Sequence, residues 1–153
     1  METAITTTAF TTRIDRFIQR NNVMSLAVSG DAILWAACVF YAFDVHARRL
    51  LYFTNLDTLH GRLAQSNPDV VATIAAQGGD VAKLQGVQIK GLSALLQGEE
   101  AERARARFLT DFPALGVVTA PIWALVPAYV KMVDNTVSFG YKEEWPTNAD
   151  GEC

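Results

Sequence analysis

Leu51-Tyr-Phe-Thr-Asn-Leu-Asp-Thr-Leu-His-Gly-Arg-Leu63 is the stretch on which the fold turns. A short apolar run ends in a polar turn, and the turn leads directly into a segment with helical spacing. Thr54, Asn55, Thr58, His60 and Arg62 crowd that junction. A helix start presents unpaired backbone N–H groups and a partial positive charge, which attract anions. Hydroxyls beside a protonatable side chain at such a place point to a phosphate. The plainer reading is that Thr54 ends a strand, Asp57 or Thr58 caps a helix, and His60 stands in solvent. Arg62 alone reads as a solvated helix residue.

Upstream, Phe10, Ile14, Phe17 and Ile18 recur at helical spacing, with Thr11 or Thr12 as cap and Asn21-Asn22 as stop. Val23 to Ser29 reads as a strand, Gly30-Asp31 as a tight turn, and Ala32 to Phe43 as a long strand. That strand lacks clean alternation, so both its faces are expected to be covered. Asp44 to Ala47 turns the chain into a strand over Arg48 to Thr54.

Downstream, the helix runs to about Ser66, where Asn67-Pro68 stops it. Val70 to Ala76 reads as a strand, Gly78-Gly79-Asp80 as a turn, and Leu84 to Leu96 as a second long strand. Gly86 and Gly91 mark bulges or close backbone approach within it. Gly98 to Phe112 reads as a helix with Glu99, Glu100 and Glu102 early and Arg103, Arg105 and Arg107 late, the order its dipole favours. Glu99 is placed to pair with Arg103, Ala101, Ala104, Phe108 and Phe112 form the buried stripe, and the charges read as a solvated face. Ile122 to Met132 and Val137 to Trp145 are the last two strands. The class is mainly β with peripheral α, about seven strands and three helices, in one domain over 1–153 with a flexible tail over 146–153. Such an order implies an antiparallel barrel rather than a Rossmann sheet.

Half the residues are apolar and 19% are charged, the composition of a globular protein. The net charge of −3 and the lack of a basic tract argue against nucleic-acid binding. Met1 to Phe10 is threonine-rich, without the basic flank and apolar core of a signal peptide. The apolar run Ile33 to Phe43 is too short to span a bilayer, and Pro121 and Pro127 interrupt Val117 to Val130. The expectation is a cytoplasmic protein with no membrane association. Cys38 and Cys153 make neither a disulfide framework nor a metal motif, and Cys38 reads as a small buried hydrophobe. There is no P-loop, no GxGxxG and no GxSxG, and with His46 and His60 as the only histidines a His-rich metal site is unavailable. Trp35, Phe40, Tyr41, Phe43, Tyr52 and Phe53 read as core residues, or in part as a wall against a flat ring.

Tyr52-Phe-Thr-Asn-Leu-Asp-Thr-Leu-His-Gly-Arg-Leu63 resembles the phosphate-binding segment of the pyridoxamine 5'-phosphate oxidase-like superfamily. Gly86-Val-Gln-Ile-Lys-Gly91, with the Glu/Arg helix after it, resembles that superfamily's barrel strand and next helix. Leu125-Val-Pro-Ala-Tyr-Val-Lys-Met-Val-Asp-Asn135 resembles its C-terminal strand signature. The likeness runs from about Phe10 to Trp145 and is greatest to a small bacterial branch with Phe40-Tyr-Ala-Phe-Asp44 in the second strand.

The resemblance implies a split β-barrel that forms a homodimer, with FMN in a groove between subunits. It implies that Thr54, Thr58, His60 and Arg62 hold the phosphate. The backbone of Ala37, Cys38 and Val39 then runs beside the flavin, with Phe53 nearby and Gln88 near the ring. Leu59 stands where the oxidases carry an arginine, His60 where they carry a lysine, and Cys38 near the place of another arginine. The C-terminal arginine and histidine segment that grips the vitamin phosphate is missing. The implied activity is therefore a flavin-dependent redox reaction on an unidentified small molecule, not pyridoxamine phosphate oxidation. No residue stands out as a catalytic acid or base. The alternative is a non-enzymatic dimeric binding protein whose groove holds another phosphorylated or planar ligand, or none.

Overall fold

Thr11 starts helix α1 (Thr12–Arg20): its hydroxyl accepts from the Ile14 amide at 3.2 Å and donates to Glu143 at 2.6 Å. Ile14, Phe17 and Ile18 bury one stripe of that helix, as their spacing predicts. The computed structural model describes residues 9–76 and 78–146, so Cys153 and all of the expected tail but Pro146 lie outside the described residues. After α1 come β1 (Val23–Gly30), β2 (Ile33–Phe40), β3 (Ala42–Asp44), β4 (Arg49–Phe53), α2 (Leu59–Ser66) and β5 (Asp69–Ala75). Then follow β6 (Gln85–Leu95), α3 (Gly98–Asp111), β7 (Ile122–Asp134) and β8 (Lys142–Trp145). One antiparallel sheet runs in the order β2-β1-β5-β6-β7-β4-β3, with β8 also on β7. The mainly β class with three helices is as expected.

Two boundaries differ for physical reasons. Tyr41 divides the expected Ala32 to Phe43 strand, because its amide bonds the Asn22 carbonyl at 2.9 Å and its hydroxyl reaches the Ile18 carbonyl at 2.7 Å. The last strand starts at Lys142 rather than Val137. Asp134 accepts from the Thr136 amide at 2.9 Å, and Gly140 at φ +76° closes the turn that follows.

The expectation that the second strand has both faces covered is overturned. Ile33, Trp35 and Phe40 are exposed, and Leu34 is 84% exposed. β2 is the outermost strand with β1 as its ladder partner, so all its side chains but Ala37 and Val39 run past the core. Cys38, read as buried, is exposed for the same reason. Trp35 and Phe40 therefore leave the predicted core, whereas Tyr41, Phe43 and Tyr52 are in it.

The strands covered on both faces are β4 and β7. Leu50 and Tyr52 of β4, with Trp123 and Leu125 of β7, face the large core inside the curled sheet, which also holds Phe17, Leu26 and Ile89. Their sequence neighbours Leu51, Ile122 and Ala124 face a smaller core under α3, with Ala104 and Phe108. Period-two alternation thus serves two cores at once. β6 carries a bulge between Lys90 and Gly91, and a Cβ on Gly91 would lie 2.3 Å from the Val126 carbonyl oxygen. Only glycine lets β7 come that close, as expected of Gly91, while a Cβ on Gly86 would lie 3.2 Å from the Ile74 carbonyl oxygen of β5.

Helix α1 is stapled to the end of the sheet. Arg13 bonds the fully buried Asp134 at 3.1 Å and Glu143 at 3.0 Å. No helix among the described residues is long and apolar enough to cross a membrane.

Candidate functional site

Strand β4 ends at Phe53, and the turn that follows is rigid from both sides. Thr54 is held at three atoms: its amide donates to Pro121 O at 3.1 Å, its carbonyl accepts from Trp123 Nε1 at 3.1 Å, and its hydroxyl meets His60 Nε2 at 2.5 Å. Thr58, not Asp57, caps α2. Its Oγ1 accepts from the Gly61 amide at 3.1 Å and donates to Asn55 O at 2.8 Å. A Cβ on Gly61 would lie 2.1 Å from Asn55 O, so the turn and the helix can meet only through glycine. His60 does not stand in open solvent as the plainer reading has it. Burial lowers its pKa, so the ring is neutral at pH 7.

A cleft of about 380 Å³ opens beside this turn. Cys38, Val39 and Phe40 of β2 form one part of its lining, and Phe53, Thr54, Asn55, Thr58 and His60 form another. Phe108 of α3 and Leu115, Val118 and Ala120 after it complete the wall. Among the described residues, the ionisable side chains of this lining are Cys38 and His60.

Of the residues predicted for the site, the structure brings Cys38, Val39, Phe53, Thr54, Thr58 and His60 together here. Ala37 is the next residue along β2 and does not line the cleft. Arg62 donates to the Asp57 carbonyl at 3.2 Å and braces the turn from outside it. Gln88 sits on β6 in an exposed cross-strand row, Cys38–Ser25–Thr73–Gln88. Three ladder spacings, about 14 Å, separate it from Cys38.

Sequence reasoning missed the wall from 112 to 120. Pro113 is its one local signal, and it opens a short 3-10 helix over Pro113–Val117. The reading of α3 as having a purely solvated charged face is also corrected. Arg103 pairs with Glu99 at 3.7 Å in solvent, as expected. Arg107, however, turns in to bond the Phe43 carbonyl at 2.9 Å. Arg105 donates to Val118 O at 2.6 Å and Ala120 O at 3.0 Å, with its guanidinium 4.7 Å above the Phe53 ring.

No family model matches the chain. It is similar in fold to a heme binding protein from Mycobacterium smegmatis, with a TM-score of 0.67 and 21% identity over 81% of this chain and 52% of that one. The chain thus spans about half the length of that protein. It is also similar to a FAD-binding protein from Mesorhizobium loti, with a TM-score of 0.65 and 16% identity over 78% of this chain and 89% of that one. A putative pyridoxamine 5'-phosphate oxidase from Listeria innocua gives a TM-score of 0.61 and 18% identity over 77% and 93%. At such identities the likeness is one of fold, and the fold is the expected split β-barrel. In sequence, a UPF0306 protein of Photorhabdus laumondii is 39% identical over 132 residues, covering 86% of this chain and 92% of that protein. A UPF0306 protein of Serratia proteamaculans is 38% identical over 133 residues, covering 87% and 92%. With identity at that level over nearly the full length of both relatives, the chain belongs to the UPF0306 family.

Proposed function

We propose that this chain is a flavoprotein: as a homodimer it binds FMN in the cleft beside the α2 turn and uses it in a redox reaction on an unidentified small molecule. The observation that carries this reading is the convergence of residues 38–39 and 53–60, far apart in sequence, on one cavity of about 380 Å³. That volume lies within the usual range for small-molecule sites, about 300–1,000 Å³. The Thr54 hydroxyl beside His60 and the start of α2, shaped by Thr58, suit a phosphate. Val39, Phe40, Phe53 and Phe108 offer apolar walls for a flat ring. Proteins of the same fold that bind FAD or are described as oxidases support a flavin. A heme-binding one brings heme into question. Heme iron is commonly held by an imidazole nitrogen, and His60 Nε2 is turned into Thr54, which favours the flavin.

When bound, FMN supplies hydride and single-electron transfer. The residues of this chain position it. Thr58 holds the turn, and His60, neutral, offers a hydrogen bond without a formal charge. The phosphate contact therefore rests on the Thr54–His60 pair and on the helix start, not on a guanidinium. Phe53 and Val39 exclude water from the ring. Leu34, Trp35 and Phe40, exposed along β2, form the surface that a second copy covers.

Freshly purified protein, mixed with excess FMN and desalted, is expected to keep flavin absorbance at one per chain. The same sample is expected to scatter light as a dimer at micromolar concentration. A monomer would remove the shared groove. A colourless protein would overturn the FMN reading in favour of a binding protein for another planar or phosphorylated ligand. The lack of arginine and lysine in the described lining is the observation that favours that second reading.

A further inference from the structure

We infer that Arg105 is a positioning residue for the ligand of this cleft: it fixes the wall made by Phe53, Val118 and Ala120 without lining the cavity. The inference rests on the flavin reading for the identity of that ligand. Phe112 and Leu115 anchor the start of the segment 112–120 on the cluster under α3, but past Leu115 little else holds it. Val117 is 85% exposed, and the backbone bonds of Leu115 to Phe112 O and of Val118 to Leu115 O, each 3.0 Å, are local. Regular pairing begins only at Ile122, with Phe53 as its partner.

Across that gap Arg105 reaches out of α3 with both ends of its fork. Nη1 donates to Val118 O at 2.6 Å and Nη2 to Ala120 O at 3.0 Å. The Thr54 amide holds the next carbonyl, Pro121 O, at 3.1 Å. The same guanidinium covers the Phe53 ring at 4.7 Å, while Phe108 meets that ring at 4.6 Å and 69°. Phe53 is thereby fixed between a cation and an edge-on ring, and both Phe53 and Phe108 line the cleft. One side chain ties three lining residues from two separate stretches. A lysine has neither the planar face to stack nor the fork to span two carbonyls.

The test compares wild type with Arg105→Lys and Arg105→Gln, and uses Arg103→Lys on the solvent side of the same helix as control. Three measurements are made on each: amide hydrogen exchange over 113–120 without ligand, FMN affinity by quenching of flavin fluorescence, and the visible absorbance band of the bound flavin. Both Arg105 variants are expected to exchange faster over 113–120 and to bind FMN at least about tenfold more weakly, with a changed visible band of the bound flavin. Arg103→Lys is expected to match wild type in all three. Unchanged exchange overturns the clamp, and faster exchange with unchanged FMN affinity and band overturns the positioning role. Wild-type protein that takes up no FMN sinks the flavin reading and not the clamp. Exchange then decides alone: faster in the variants supports the clamp, and equal rates overturn it.

Discussion

Thr58→Ala combined with His60→Ala is expected to abolish FMN retention while leaving the fold standing. Thr58 Oγ1 ties Asn55 O to the Gly61 amide, and His60 Nε2 holds the Thr54 hydroxyl. The pair therefore shapes the polar end of the cleft and supplies part of its donors. Loss of an N-cap hydroxyl costs about 1 kcal/mol, a small part of a domain's stability of about 5–15 kcal/mol. Leu63 and Ala64 stay buried and keep α2 on the barrel. Absorbance after desalting, read beside a circular-dichroism melt, checks the result. A folded double variant that stays yellow would remove the assigned phosphate site.

Asp134→Ala is expected to destabilise the protein by about 2 kcal/mol, because Arg13, Gln85 and Thr136, which water can reach, lose a buried charged acceptor that ties them together. The carboxylate is fully buried and accepts from Thr136, Gln85 and Arg13. Burial opposes its ionisation, but those hydrogen bonds outweigh burial and hold its pKa below the ordinary carboxylate value. A carboxyl depressed in the folded state stabilises above its unfolded pKa, about 4. That contribution disappears as the pH falls through the lower folded value. Wild-type melting temperature should therefore drop on acidification below about pH 4. The variant, already weaker, should show a shallower drop. Parallel melting curves across that range would show that Asp134 does not carry the acid sensitivity.

The sequence was most legible where one local rule decided the outcome. Thr11 and Asn21 bound α1, Thr58 and Asn67 bound α2, and Gly91 marks the close approach of two strands. Thr54, Thr58 and His60 of the α2 turn stood out by their own chemistry, but that β2 meets them at one cleft was legible only through the family resemblance, since neither stretch alone indicates it. What stayed hidden depends on position in the sheet. The apolar pattern of β2 suits a doubly covered strand, but that cover belongs to β4 and β7, and strand order is not written in local periodicity. Arg105 and Arg107 look like their solvated neighbour Arg103. A long side chain turns inward only where carbonyls distant in sequence come within reach, and the run of charges on α3 holds no trace of them.

The cleft lies along the boundary between two clusters of unequal size: Val39 belongs to the barrel interior and Phe108 to the group under α3. Lifting α3 costs the smaller cluster and the bonds of Arg105 and Arg107 but leaves the larger cluster whole, so the cavity can breathe while the barrel stays closed. Tighter packing beneath that helix would then lengthen the residence time of a bound molecule at the expense of its rate of entry.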